Sequence, residues 1–475
     1  MPKILAYVWF DIEDYVTRES HDLPLKAFEI LKKHNVPVTC KIVAEKVRAL
    51  VENGRNDVIS AISEHDVGYH LDAHSRHPTL YEYLAEFDVP SGAKEFLTRE
   101  SDGLAYVKQT FGRTPSCFGH PGPTWSPHVY PALPEMGIPV YLDDTPILNL
   151  NNQPYWYCGI LNLNGANQNF IVFDYTFQDP NGIKVLKQKF KRIHDRLRTE
   201  GGAVSLLFHL HTAINRKFWD EVNFGNGQNR NRDEYQRPQP QPAEITERAW
   251  KNFDELIGYM SSFDDVGFIT ASDAAKIYGH PAKANLDRDE LRKVAAHFRA
   301  SSDYFTQDGI VLSPSEAFYA VAASLSEYAT SGKLPERVEF KEPLGPMTTF
   351  RSKGKKTVLT KDLLESAKRA ADFADAEKFL PTDIQVGPEA DLSPHDFLAT
   401  ASKLLHIVLS GKSLPDRINL SKSKPPHLRY ISAARFRDAC NWKVLPRRFK
   451  APRILEQITL QAWTLKPAQP TPGSE

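Results

Sequence analysis

The sequence predicts an α/β protein: a distorted (β/α) barrel over the front of the chain, then a mostly helical domain made of two repeats. Three observations carry that expectation. Short apolar runs alternate with helix-patterned segments through residues 1–280, no glycine-rich dinucleotide turn follows the first run, and a Ser-Pro motif recurs in the last third. A length of 475 residues also exceeds what one hydrophobic core usually serves, so more than one domain is expected.

The first β-rich runs are read at Ile4–Phe10, Val36–Val43, Val67–His70 and Cys117–Gly119, and further ones at Val140–Leu142, Phe170–Tyr175, Val204–His211 and Val266–Thr270. They are short and mostly apolar, as strands covered on both faces must be. Helical patterns stand between them at Leu23–Lys33, Ala93–Thr110, Val185–Thr199 and Glu244–Ser261. Residues 223–243, rich in Asn, Gln and Pro, read as a long surface loop, either a lid or a plain connection.

After Tyr278 one pattern occurs twice, starting LSPSEAF at Leu312 and LSPHDFL at Leu392, with Pro314/Pro394 and Pro335/Pro415 matching. In each copy Ser at the N-cap, Pro at the first helical position and an acid in the first turn start a helix that Gly stops. The upstream helices Asp289–Phe298 and Asp362–Phe373 correspond as well. The expected divisions are a barrel over 1–280, repeats over 285–345 and 358–425, and a basic segment over 426–475. Removing residues 285–475 is expected to leave a soluble barrel.

The chain carries 59 Lys+Arg and 59 Asp+Glu, but the zero total is a cancellation. Residues 1–280 hold 29 basic and 36 acidic residues, and residues 281–475 hold 30 and 23. Residues 421–475 alone hold 11 basic and 3 acidic ones. Nucleic acid is not the expected partner of such a chain; a homo-oligomer stays open. No apolar run approaches the roughly 18 residues of a membrane span. Cys40, Cys117, Cys158 and Cys440 lack CxxC spacing, which argues against a disulfide framework or a thiolate zinc site. The start MPKILAYVWFDIEDY shows no export signal, so a cytoplasmic location is expected, with a cell-surface one open if a signal is missing.

Chemistry-bearing residues gather at three strand ends. FDIED places Asp11, Glu13 and Asp14 at the C-terminal end of the first run, where parallel barrels build their sites. GYHLDAHSRHP holds His70, Asp72, His74 and His77, and the four-residue spacing puts His70 and His74 on one face of a helical turn. Two imidazoles and one carboxylate suffice for a metal with positions open to water and substrate. SLLFHLHT alternates His209 and His211 on one face of a buried strand.

In this order the segments resemble the polysaccharide deacetylases of carbohydrate esterase family four, over roughly residues 3–275. The family's aspartate pair is similar to Asp11 with Glu13 or Asp14. Its His-(Ser/Thr)-x-x-His motif is similar to His70–His74, with Leu71 at the hydroxyl position, and its Leu-Leu-x-His strand to Leu206–His209. The family's Arg-x-Pro motif falls on Gly119-His120-Pro121, so Gly119 stands where an arginine pairs with the catalytic aspartate, and His120 is the candidate substitute.

The resemblance implies a barrel of the polysaccharide deacetylase type and hydrolysis of a non-peptide C–N or ester bond on a glycan or acylated amino sugar. It implies one divalent metal, zinc first and cobalt, nickel or manganese otherwise, on His70, His74 and either Glu13 or Asp14. Asp11 would be the base, His209 the acid with His211 supporting it, and a backbone N–H near Phe118 or Gly119 would hold the oxyanion. Trp125, Trp156 and Trp219 are candidate sugar platforms beside His120. Two other readings are a barrel that binds glycan without turnover and a hydrolase of a small amide. The repeats resemble pseudomurein-binding units, which implies a cell-wall polymer as a partner; packing against the barrel is the alternative.

Overall fold

The computed structural model describes residues 4–163, 168–279 and 285–470. The expected boundary at 280 and the last residues of the basic segment, 471–475, lie outside them.

The front of the chain is an α/β layer around one eleven-stranded sheet. Its strands are β1 (Ile4–Ile12), β2 (Thr39–Ile42), β3 (Asp66–Tyr69), β4 (Cys117–Phe118) and β5 (Val140–Tyr141), followed by β6 (Tyr155–Tyr157), β7 (Ile160–Asn162), β8 (Phe170–Val172), β9 (Gly202–Phe208) and β10 (Val266–Phe268). The remaining strand, Lys466–Pro467, comes from the far end of the chain and pairs antiparallel with β6. Strand pairing runs from that strand through β6, β7, β5, β4, β3, β2, β1 and β9 to β8.

β9 lines one edge of β1 from Ile4 to Phe10, while the other edge takes β10 at Ile4–Ala6 and then β2 at Trp9–Ile12. Two partners in succession on one edge curl the sheet into a half-barrel. Each expected β-rich run contains a strand; the β6–β7 hairpin is additional.

Alternation along β1 separates two cores. Ile4, Ala6, Val8, Phe10 and Ile12 pack with the outer helices, among them Leu23–Lys33, Val89–Phe111, Gly182–Glu200 and Ala243–Ser261. Leu5, Tyr7 and Trp9 fill the concave side with Cys117, Val140, Leu161 and Leu207. Asp11 falls on the concave face by the same alternation.

Behind the barrel, two segments repeat one element order. The first runs Asn285–Asp287, helix Arg288–Phe298, hairpin Phe305–Gln307/Ile310–Leu312, helix Pro314–Ser331 and strand Arg337–Glu339. The second runs Thr357–Leu359, helix Thr360–Glu377, hairpin Ile384–Val386/Ala390–Leu392, helix Pro394–Leu409 and strand Arg417–Asn419. The outer strands of each pair antiparallel, Asn285 with Glu339 and Thr357 with Asn419. The expected caps are present: Ser313 accepts from the Glu316 N–H, Ser393 from the Asp396 N–H, and Gly332 ends its helix at φ +71°. Both segments share one core, with Phe318 and Phe397 rings 5.2 Å apart. Among the described residues no helix is long and apolar enough to cross a membrane.

The basic segment is not a free tail. Phe436, Leu445, Ile454, Ile458 and Leu465 belong to the barrel's outer core, and Lys466, 3% exposed, pairs with Glu316 at 2.6 Å. Deleting 285–475 would therefore strip apolar area from the barrel itself, contrary to the expectation that a soluble barrel remains. Residues 223–243 are tied down as well: Arg232 pairs with Glu45 and Glu52, and Tyr235 packs on Tyr15 and Phe224.

Candidate active site

The site forms where β1, β3 and β9 end. Asp11, 3% exposed, sets Oδ2 3.3 Å from His209 Nε2 and 3.8 Å from His70 Nε2, and Oδ1 3.1 Å from Lys41 Nζ. Burial raises its pKa, but Lys41, His70 and His209 together hold the carboxyl below the usual range.

Glu13 lies just past the strand. Its Oε2 is 2.8 Å from His74 Nε2 and 3.5 Å from His70 Nε2, and its Oε1 accepts from Trp219 Nε1 at 3.1 Å. Burial opposes its ionisation too, and the flanking histidines overcome it.

Asp14 turns the other way. Its carboxylate accepts the N–H groups of Val16 and Thr17 and the Asn215 amide, so it closes its own loop. This corrects Asp14 as a metal ligand.

His70 and His74 meet, with ring centroids 4.9 Å apart, but not on a helical turn. The segment is a loop in which Leu71 and His74 adopt φ of +70° and +56°. Left-handed residues reverse the sense of turning and so interrupt a helix, at a conformational cost. His70 Nδ1 donates to the Gly119 carbonyl at 3.0 Å, because that oxygen can only accept. Ser75 Oγ donates to Asp220 at 2.8 Å and therefore accepts from His74 Nδ1 at 2.6 Å. Each ring thus turns Nε2 towards Glu13. Against burial, the Glu13 charge raises the His74 pKa, so that a proton or a metal ion can sit between them.

His77 and Asp72 serve elsewhere. His77 bridges Glu82 and the Phe224 carbonyl, and Asp72 pairs with Arg48 at 2.7 Å.

His209 follows β9 rather than lying in it. Asp174 accepts from its backbone N–H at 2.8 Å and from its Nδ1 at 2.5 Å. Burial would neutralise the ring, but Asp174 and Asp11 raise its pKa well above the ordinary value. His211 sits in the next short helical turn, Leu210–Ala213, so the expected alternation along a strand does not occur. It is 2% exposed, lies 3.7 Å from Glu13 Oε1, and burial pushes its pKa down to about 3. That neutral ring flanks Glu13 and does not reach the cleft, which corrects it as a partner acid.

The remaining substrate-contact expectations need correction as well. Phe118 is fully buried among Tyr69, Phe96 and Tyr141, on the helix side of the sheet. The Gly119 N–H is spent on the Tyr69 carbonyl at 3.1 Å, so it is not an oxyanion donor. Trp125 and Trp219 are fully buried and Trp156 is 6% exposed, so none offers a face to a sugar. Trp125 donates to the Tyr130 hydroxyl, and Trp219 braces Glu13. His120 does line the cleft, but burial lowers its pKa to about 4, so it supplies no cation.

Sequence reasoning missed four participants: Lys41, Asp143, Asp174 and Trp442. Together with Asp11, His120, His209 and Phe218, Asp143 and Trp442 bound a cleft of about 560 Å³. Trp442 lies so close over Gly122 that a Cβ there would come within 2.5 Å of its ring. It is the half-exposed aromatic at the rim that the buried tryptophans are not. The sequence signal that could have found Asp143 and Asp174 was their place at or just past the C-terminal ends of the runs Val140–Leu142 and Phe170–Tyr175; Lys41 is revealed by the pairing that sets it beside Asp11.

Glu13, His70 and His74 each offer a donor atom, all within 4.8 Å of one another. His74 Nε2 makes no hydrogen bond although Glu13 Oε2 is 2.8 Å away. A ring nitrogen and a carboxylate this close need a cation between them, a proton or a metal ion, and two imidazoles with one carboxylate are a donor set that fits a divalent metal.

No family model matches the sequence, and no curated protein does. Solved structures do match. One is a protein of Mycobacterium smegmatis assigned as a polysaccharide deacetylase, with 17% identity, 58% of this chain and 90% of that one covered, and a TM-score of 0.39. Another is the Puue allantoinase, with 14% identity, 58% and 90% coverage and a TM-score of 0.39. A family 4 acetyl xylan esterase from Clostridium thermocellum, solved with a cobalt ion, has 16% identity, 58% and 93% coverage and a TM-score of 0.30. The chain is similar to each at this level.

Proposed function

We propose that the protein is a metal-dependent hydrolase that removes acyl groups, N-acetyl foremost, from a glycan or acylated amino sugar. The observation that carries the reading is the pairing of two kinds of carboxylate on one strand end. Glu13 faces the Nε2 atoms of two histidines, while Asp11, 3.3 Å from His209, faces the cleft.

Glu13, His70 and His74 would hold the metal, zinc first and cobalt, nickel or manganese otherwise; when bound, it lowers the pKa of water and polarises the acyl oxygen. Asp11 takes the proton from the attacking water, being held ionised by its cationic neighbours. His209, kept protonated against burial by Asp174 and Asp11, gives a proton to the leaving amine or alkoxide. Asp174 also fixes the ring so that Nε2 points at the reacting atoms.

A second reading keeps this chemistry and changes the substrate to a small non-peptide amide. The wall of Asp438, Asn441, Trp442 and Lys443 that the C-terminal segment adds to the cleft supports it.

Acetate release from acetylated chito- and xylo-oligosaccharides tests the proposal. The wild-type chain loaded with Zn²⁺ or Co²⁺ should release acetate, and Asp11→Asn should lower kcat by about 1,000-fold, within the range for removal of a general base. Unchanged turnover in Asp11→Asn would sink the mechanism. Cleavage of small amides but not of oligosaccharides would select the second substrate class.

A further inference from the structure

We infer that Lys41 is the positioning residue for Asp11, delivering from β2 the cation that position 119 lacks. This inference rests on the proposed role of Asp11 as the base.

Lys41 has no exposed surface. Its Nζ lies 2.6 Å from Asp143 Oδ2 and 3.1 Å from Asp11 Oδ1, and 4.2 Å from the centre of the Trp9 ring. The register explains how it gets there: Asp11, Lys41 and Gly68 are successive partners across β1, β2 and β3. All three face the concave side, so the lysine stem can cross β3 only over a residue without a side chain. A Cβ on Gly68 would lie 3.0 Å from Lys41 Cγ and 2.5 Å from Cys117 Sγ, so the glycine makes room for both. A Cβ on Gly119 would collide with Lys41 Nζ and sit 2.5 Å from Asp143 Oδ2. The ammonium thus occupies the space where a side chain at 119 would begin, and two glycines clear its path.

Burying an ammonium costs much desolvation, and such a group is kept where its partners need its charge. Asp143 neutralises one side of it. The other side faces Asp11 Oδ1 as an ion pair at 3.1 Å without a hydrogen bond, and Oδ2 turns towards His70 and His209. His120, the other candidate for this duty, lies 3.7 Å from Asp143 and is not among the close partners of Asp11.

Two measurements on the full chain test this. The first is thermal stability in a double-mutant cycle of Gly119→Ala with Lys41→Ala, which requires no activity. Gly119→Ala should lower Tm clearly in the wild-type background and far less once Lys41 is shortened. Equal losses in both backgrounds would overturn the placement.

The second is steady-state acetate release from acetylated chito-oligosaccharides by the metal-loaded protein. Lys41→Met should lower kcat at least about 100-fold with KM and metal content unchanged. Adding Gly119→Arg to Lys41→Ala, which brings a guanidinium towards the same point from the end of β4, two strands from β2, should recover at least about 10-fold of the lost kcat. Full activity in Lys41→Met, or no recovery in a folded, metal-loaded double variant, would overturn the inference. Absence of acetate release by the wild type would count against the proposed function instead, and the stability cycle would still decide where the lysine sits.

Discussion

The two sides of the site are built differently. On the ligand side, Glu13, His70 and His74 lie in two short loops, and each histidine is pinned through Nδ1 by a neighbouring group, Gly119 or Ser75. On the proton-transfer side, Asp11 depends on Lys41, from β2, and His209 on Asp174, just past the end of β8. A metal site can be specified locally because coordination needs only donor atoms within a few ångströms. A base and an acid at fixed protonation need charged neighbours in a low-dielectric wall, and strand register supplies them.

That contrast decides what substitutions should do. Asp174→Asn tests the long-range side. It keeps a side chain of similar shape but removes the charge that holds His209 protonated, so kcat should fall about 100-fold. The pH profile should change in a definite direction: the acid works only while protonated, so lowering its pKa moves the basic limb of kcat/KM to lower pH. A profile that keeps its basic limb would assign the acid to another group.

Trp442→Ala probes the rim and should act least. Losing one stacking face of about 1 kcal/mol raises KM roughly 5-fold and leaves kcat and metal content alone. A comparable fall in kcat would mean that the C-terminal wall shapes the reacting centre as well.

The same contrast explains what the amino-acid sequence could tell. Strand–helix alternation, the repeat with its Ser-Pro caps and the order Asp11, His70, His74, His209 all arise from patterns within a few residues, and all could be read directly. The β6–β7 hairpin escaped notice, although strands as short as β4 and β5 were read, because its two strands follow one another without the intervening helix on which the strand–helix alternation rests. The hairpins of the repeats were hidden for the same reason.

Asp143 and Asp174 stand at or just past the C-terminal ends of expected runs but lack a companion His within a few residues to single them out as a site, and Trp442 stands in a segment with no distinguishing pattern. Lys41 looked like an ordinary polar residue in a strand. Its importance follows from sitting beside Asp11 and opposite Gly68, which only pairing reveals. Tryptophan content misled in the opposite sense: the three candidates fill the interior, and the one at the rim arrives from the C-terminal segment.

The central claim is that Glu13, and not Asp14, completes a metal site with His70 and His74. Elemental analysis of the purified full chain after equilibration with Zn²⁺ tests it most directly. Wild type and Asp14→Asn should each retain about one zinc per chain, and Glu13→Gln should lose affinity by at least about 100-fold. Stoichiometric zinc in Glu13→Gln together with loss in Asp14→Asn would contradict the assignment.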